Sequence, residues 1–77
     1  MNKSAKEMFR KLKLDCIIID YEKNKITKIT YHNNGGTLCC ITKEYIEYIE
    51  DFNRTALPLY FIPAINKQIE EFGWLDE

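Results

Sequence analysis

"ITKITYHNNGGTLCCI", Ile26 to Ile41, decides the fold of this 77-residue chain. Its first half has a period of two: Ile29 and Tyr31 fall on one side, Lys28 and Thr30 on the other, the alternation of a half-exposed strand. Asn33, Asn34, Gly35 and Gly36 then form the strongest turn signal in the sequence, because Asn and Gly tolerate the positive φ that tight hairpins demand. "TLCCI" returns as a second strand. A loop over residues 33–36 predicts Tyr31 opposite Leu38 and Thr30 opposite Cys39.

Upstream, "DCIIIDYE" (Asp15–Glu22) packs β-branched Ile into a continuous apolar run, as a strand buried on both faces requires. "KNK" turns the chain into the hairpin, giving a three-stranded antiparallel meander by residue 41. Before it, Ser4 and Glu7 make an S-x-x-E capping box that opens a helix. Ala5, Met8, Phe9 and Leu12 line one stripe of that helix, with the lysines and Arg10 on the opposite face.

Downstream, Ile41, Tyr45, Tyr48, Ile49 and Phe52 recur at spacings of three and four and Thr42 is a capping residue, so the spacing predicts a third helix over 42–52. Pro58 and Pro63 bracket "LYFI", a segment read as an edge strand or an extended crossing. Pro63 suits the first turn of a last helix whose buried stripe is Ile65, Ile69 and Phe72. Gly73 stops that helix in the left-handed C′ position, which lets Trp74 fold back and close the edge of the core.

A chain this short buries only about 60% of the surface its unfolded form exposes, so residues 1–77 are expected to form one domain. With 45% hydrophobic and 30% charged residues it is too apolar for a disordered chain. No run of 18 apolar residues is present and no export signal is read, so the expected location is the cytoplasm, away from membranes. Three cysteines, Cys16, Cys39 and Cys40, are an odd number without C-x-x-C spacing, which points to buried apolar thiols and away from a disulfide framework or zinc cluster. Nine lysines against two arginines, with eleven isoleucines and six asparagines, fit AT-rich coding DNA. The formal charge of −1 hides a segregation: five bases against Glu7 in residues 1–13, and an excess of carboxylates in 42–54 and 65–77.

"AKEMFRKL" near the start and "AINKQIEEFGW" near the end resemble the paired signatures of small, mostly uncharacterised proteins carried by phages and prophages of Gram-positive bacteria. The match covers about 20 of the 77 residues. Phe72 stands where leucine is commoner, and Pro63 where the group's last helix runs on. The resemblance implies a mobile-element origin and an α+β fold, and implies no reaction.

Candidate chemistry is thin. His32, the sole histidine, falls in the predicted register on the same face as Cys39 but one diagonal step away, too far for the direct contact a Cys–His nucleophile needs. It reads as a solvated turn residue. The carboxylates of 44–51 and of Glu70, Glu71, Asp76 and Glu77 lack a D-x-D-x-D-G loop for a hard cation, so no metal and no cofactor is expected. The alternation of acid and tyrosine in "EYIEYIED" is what an interface rim needs, amphipathic rings for area and carboxylates to meet a basic partner.

These readings converge on an α+β domain: a small antiparallel sheet of three or four strands against an N-terminal and a C-terminal helix, with a third helix near 42–52. The expected function is a non-enzymatic protein-binding module, a stoichiometric modulator of a host protein whose sharper form is an inhibitor of an antiviral defence protein. Its expected contact residues are Glu44, Tyr45, Glu47, Tyr48, Glu50 and Asp51. The alternative is a nucleic-acid-binding regulator using Lys6, Arg10, Lys11 and Lys13 of the first helix. A homodimer is a third possibility, since this many aromatics in so short a chain can leave an apolar patch uncovered.

Overall fold

The structure, a computed structural model, describes residues 3–76. Its elements run α1 (Ala5–Lys11), β1 (Cys16–Glu22), β2 (Lys25–His32), β3 (Leu38–Thr42), β4 (Ile46–Glu50), β5 (Asn53–Arg54) and α2 (Ile62–Phe72), with short 3₁₀ turns at Leu59–Phe61 and Trp74–Asp76. The five strands form one antiparallel sheet in the order β1-β2-β3-β4-β5, an unbroken meander. This is an α+β fold with both helices on one face of the sheet.

The capping expectation for α1 holds at Ser4, whose Oγ accepts from the Glu7 N–H at 3.2 Å. The Glu7 carboxylate takes the Ser4 hydroxyl at 3.4 Å. A second carboxylate arrives from the other helix: the Ala5 N–H donates to Glu71 Oε2 at 2.7 Å, satisfying a first-turn donor and tying α1 to α2. Ala5 and Phe9 of the predicted stripe are buried, Met8 and Leu12 pack against the core, and Lys6, Arg10 and Lys11 face outward.

Residues directly opposite in an antiparallel ladder share a face, so the register sorts every strand residue. Ile17, Ile29, Tyr31, Cys39, Ile41 and Tyr48 point at the helices. There Phe9 stacks on Tyr31 with ring centroids 3.9 Å apart and planes 11° apart, and Phe61 meets Tyr48 edge-on at 5.0 Å. The Tyr31 hydroxyl reaches across to Gln68 of α2. Gly73 ends α2 at φ 68°, ψ 22°, and Trp74 folds back onto Phe72 with centroids 5.0 Å apart, half-buried at the core edge as its position predicts.

Four expectations are corrected. Residues 42–52 are not a helix: the Thr42 Oγ1 does accept from the Glu44 and Tyr45 N–H groups, but the Tyr45 carbonyl turns back to the Thr42 N–H, closing a hairpin into β4. Cys39 and Ile41 offered a strand edge to pair with, and the β-branched and aromatic residues of 46–50 took it. The β2–β3 loop is one residue longer than predicted, 33–37, closed by Asn33 N–H to the Thr37 carbonyl. This places Tyr31 opposite Cys39 and His32 opposite Leu38, so His32 and Cys39 lie on opposite faces. β1 is not buried on both faces; it is the outer strand, with Ile18 50% exposed. Finally, Pro58 leads into a 3₁₀ turn, neither an edge strand nor an extended crossing, and Phe61 drops into the core from it.

Candidate interaction surface

The helices cover one face of the sheet, and the other is open. It carries Cys16 and Ile18 of β1, Lys28, Thr30 and His32 of β2, Leu38, Cys40 and Thr42 of β3, Glu47 and Ile49 of β4, and Arg54 of β5. The centre is apolar and the charges stand at the sides in pairs: Lys28 Nζ lies 3.9 Å from Asp20, and Arg54 is hydrogen-bonded to Glu47. A shallow groove of about 390 Å³ runs over Ile18, Thr30, Leu38 and Ile49, with His32 and Phe52 on its walls.

Phe52 is the feature that gives this groove a shape. It sits with Asp51 in a two-residue turn between β4 and β5, and both have positive φ, 54° for Asp51 and 66° for Phe52. Asp tolerates that region; a bulky aromatic rarely adopts it. The turn is held by two contacts to the β2–β3 loop. The Phe52 N–H donates to the Gly36 carbonyl at 2.9 Å, and the ring lies on Gly36, where an added Cβ would fall 2.6 Å from a ring carbon. One face of the ring is therefore seated on backbone while the residue remains 81% exposed. A strained backbone that presents an aromatic to solvent is the kind of outlier that clusters at binding sites.

The residues expected to contact a partner do not form one surface. With residues 46–50 in a strand, Glu47 points to the open face and Tyr48 to the core. Tyr48 is 5% exposed; its hydroxyl donates to Glu50 Oε1 at 2.9 Å, and burial followed by that bond and charge pushes its pKa up to about 12. Its ring is spent on the core. Glu44 and Tyr45 project from the β3–β4 turn, Tyr45 being 57% exposed, and Asp51 is exposed beside Phe52. Lys6, Arg10, Lys11 and Lys13 are all exposed on and just after α1, with Lys13 in a left-handed conformation and its carbonyl accepting from Asn33. Of the C-terminal carboxylates, Glu70 pairs with Lys67 at 3.1 Å and Glu71 caps α1, while Glu77 and the Asp76 side chain lie outside the described residues.

The thiols offer little chemistry. Burial, with the neighbouring Cys40 thiol second, pushes Cys39 up to about 12, which keeps it a protonated core residue at neutral pH. His32 is half-buried near the end of β2, opposite Cys16, and is not the solvated turn residue expected. Among the described residues no three His, Cys, Asp or Glu side chains converge as a metal site would require, and no helix is long and apolar enough to cross a membrane.

Sequence reasoning missed Ile18, Leu38, Ile49 and Phe52. For Ile18 and Leu38 the signal was present: "CIIID" and "LCCI" are apolar on both faces, and two short helices cover one face only. No protein-family model, curated protein or solved structure matches this chain.

Proposed function

We propose that the protein is a non-enzymatic binding module that docks a partner protein on the open face of its sheet. The observation that carries this reading is Phe52, an exposed aromatic seated on Gly36 in a strained turn at the rim of an apolar groove. The flanking Asp20–Lys28 and Glu47–Arg54 pairs form a polar rim around that apolar centre, the usual layout of a protein interface. Tyr45, Glu44 and Asp51 extend the surface beyond the sheet, so part of the acid-and-tyrosine segment remains in the proposal while Tyr48 leaves it. The likeness of the two end helices to small phage and prophage proteins supports a host protein as partner, with stoichiometric inhibition of a defence protein as the sharper form.

The test is affinity capture from nuclease-treated lysate of the native cell, run in parallel with wild type, Phe52→Ala, Ile49→Lys and Tyr45→Ala. One protein held by the wild type and lost by Phe52→Ala and Ile49→Lys, both checked for folding by circular dichroism, supports the reading. Equal retention by all the variants sinks it. Capture that vanishes with nuclease, falls steeply with salt and is lost by Lys6→Ala/Arg10→Ala moves the function to the exposed bases of α1.

A further inference from the structure

The two edges of the sheet are unlike. β5, at one edge, is two residues long; β1, at the other, runs seven residues from Cys16 to Glu22 and among the described residues pairs only with β2. Soluble proteins blunt such edges with proline, lysine, a bulge in the outer strand or a covering segment. β1 contains no proline and no lysine; its charged residues are Asp20, which pairs with Lys28 of the inner strand, and Glu22 at its end. The one irregularity in its pairing, between Asp20 and Tyr21, puts the extra residue, Thr27, on the inner strand β2, so the outer strand stays regular throughout. Ile18, Ile19 and Tyr21 are 50%, 38% and 64% exposed along it, the last two on the helix-covered face.

We propose that β1 pairs antiparallel with β1 of a second copy of this chain, centred on Ile19, joining two five-stranded sheets edge to edge. The register follows from the strand itself. Ile19 is the midpoint of Cys16–Glu22, so centring there is the one two-fold arrangement in which all seven residues find partners. It sets Ile19 against Ile19 and, twice over, Ile17 against Tyr21, β-branched and aromatic pairs of the kind that stabilise ladders. Just outside the strand it sets Asp15 against Lys23 of the other copy at both ends, two complementary charge pairs. Centring on Asp20 would oppose Asp20 to itself, and centring on Ile18 loses both Asp15–Lys23 pairs. With the two-fold axis perpendicular to the sheet, the helices of both copies lie on one side and the two open faces become continuous on the other. Self-association of the purified chain does not depend on the partner reading.

Sedimentation of the pure protein and thiol cross-linking test it together. A wild type that dimerises with rising concentration is expected. In a Cys16→Ser background, Ile19→Cys should form an intermolecular disulfide on mild oxidation, because its Cα atoms face each other within the 4.4–6.8 Å range that a disulfide spans. Ile18→Cys should not, since residue 18 of the second copy lies diagonally, about 7–8 Å away. Lys23→Glu, on an exposed turn that leaves the fold intact, should weaken the dimer by roughly fivefold or more through two lost ion pairs, and Asp15→Lys/Lys23→Glu should restore it. A wild type monomeric at millimolar concentration overturns the proposal. So do cross-linking through residue 18 in place of 19, and a dimer indifferent to Lys23→Glu.

Discussion

The Tyr31 hydroxyl donates to Oε1 of Gln68, joining the second strand to the last helix through the one buried polar side chain among the described core residues. Tyr31 is 2% exposed and Phe9 stacks on its ring, so hydroxyl and amide have no water to fall back on. Breaking one partner leaves the other buried and unsatisfied, a cost of about 1–3 kcal/mol, whereas removing both with apolar groups of similar shape is close to neutral. Tyr31→Phe and Gln68→Leu are each expected to destabilise by that amount in urea denaturation, and the double variant by less than the sum of the two. Strict additivity would show that the bond contributes nothing to holding α2 in place.

Gly36 and Phe52 make a second linked pair. Gly36 has φ +84°, and a Cβ there would lie 2.6–2.8 Å from three ring carbons of Phe52. Gly36→Ala therefore carries two penalties, about 1 kcal/mol for the left-handed backbone and a further term for pushing the ring off its seat. Adding Phe52→Ala removes the second penalty and not the first. Thermal melts of the two single variants and the double should show the alanine at 36 costing less when the ring is gone; an unchanged cost would mean that Phe52 does not rest on Gly36 in solution.

The residues that were legible in the sequence are those whose local chemistry and tertiary setting agree. Ser4 caps, Gly73 stops, Pro63 starts, and Ile29 and Tyr31 alternate inward, all as their own neighbours dictate. The expected helix over residues 42–52 fails for a physical reason. A threonine hydroxyl that accepts from the N–H groups two and three residues ahead serves a helix N-terminus and a tight hairpin alike, and the choice fell to a distant strand, β3, whose free edge local spacing cannot report. The candidate site was hidden by the same error, because a helix would have gathered Glu44, Glu47 and Asp51 on one face, whereas the strand leaves Glu44 and Asp51 in the turns at its two ends and sends Glu47 and Tyr48 to opposite faces. Phe52 was invisible for a different reason: no residue near it announces a left-handed aromatic, and its seat on Gly36 is formed across sixteen residues of chain.

Alkaline pH should unfold the protein in a defined window. Tyr31 and Cys39 are held near 12 chiefly by burial, and Tyr48 by burial and its Glu50 partner, against ordinary values of 10 for tyrosine and 9 for cysteine. Each pKa is raised in the folded state, so the folded chain favours the protonated form; the stabilisation is fully present below the unfolded value and is lost as pH rises through the folded one. Loss should begin near pH 9, where an unfolded Cys39 would ionise, and steepen between 10 and 12 as the two tyrosines join. Cys39→Ala is expected to delay the onset toward pH 10 in a far-ultraviolet titration, despite its own cost in packing at neutral pH. An onset that Cys39→Ala leaves in place would assign the transition to other groups.

The first helix depends on the last for its start. Glu71 accepts the Ala5 N–H at 2.7 Å while Ser4 accepts the Glu7 N–H at 3.2 Å, so two of the four orphan donors of α1 are met by side chains, one local and one from 66 residues away. A helix of seven residues cannot hold itself in water, and its order must come from these caps and from Phe9 in the core. Ser4→Ala and Glu71→Ala are each expected to cost about 1 kcal/mol, and because they serve different donors their effects should nearly add. The Glu71 charge also contributes, after burial, to raising the Tyr31 pKa. Glu71→Gln, which keeps an acceptor and drops the charge, should lose less stability than Glu71→Ala while lowering the pH at which Tyr31 ionises, read from tyrosinate absorbance against a Tyr31→Phe control. If Glu71→Ala leaves amide exchange in α1 unchanged, the two helices are joined by packing alone.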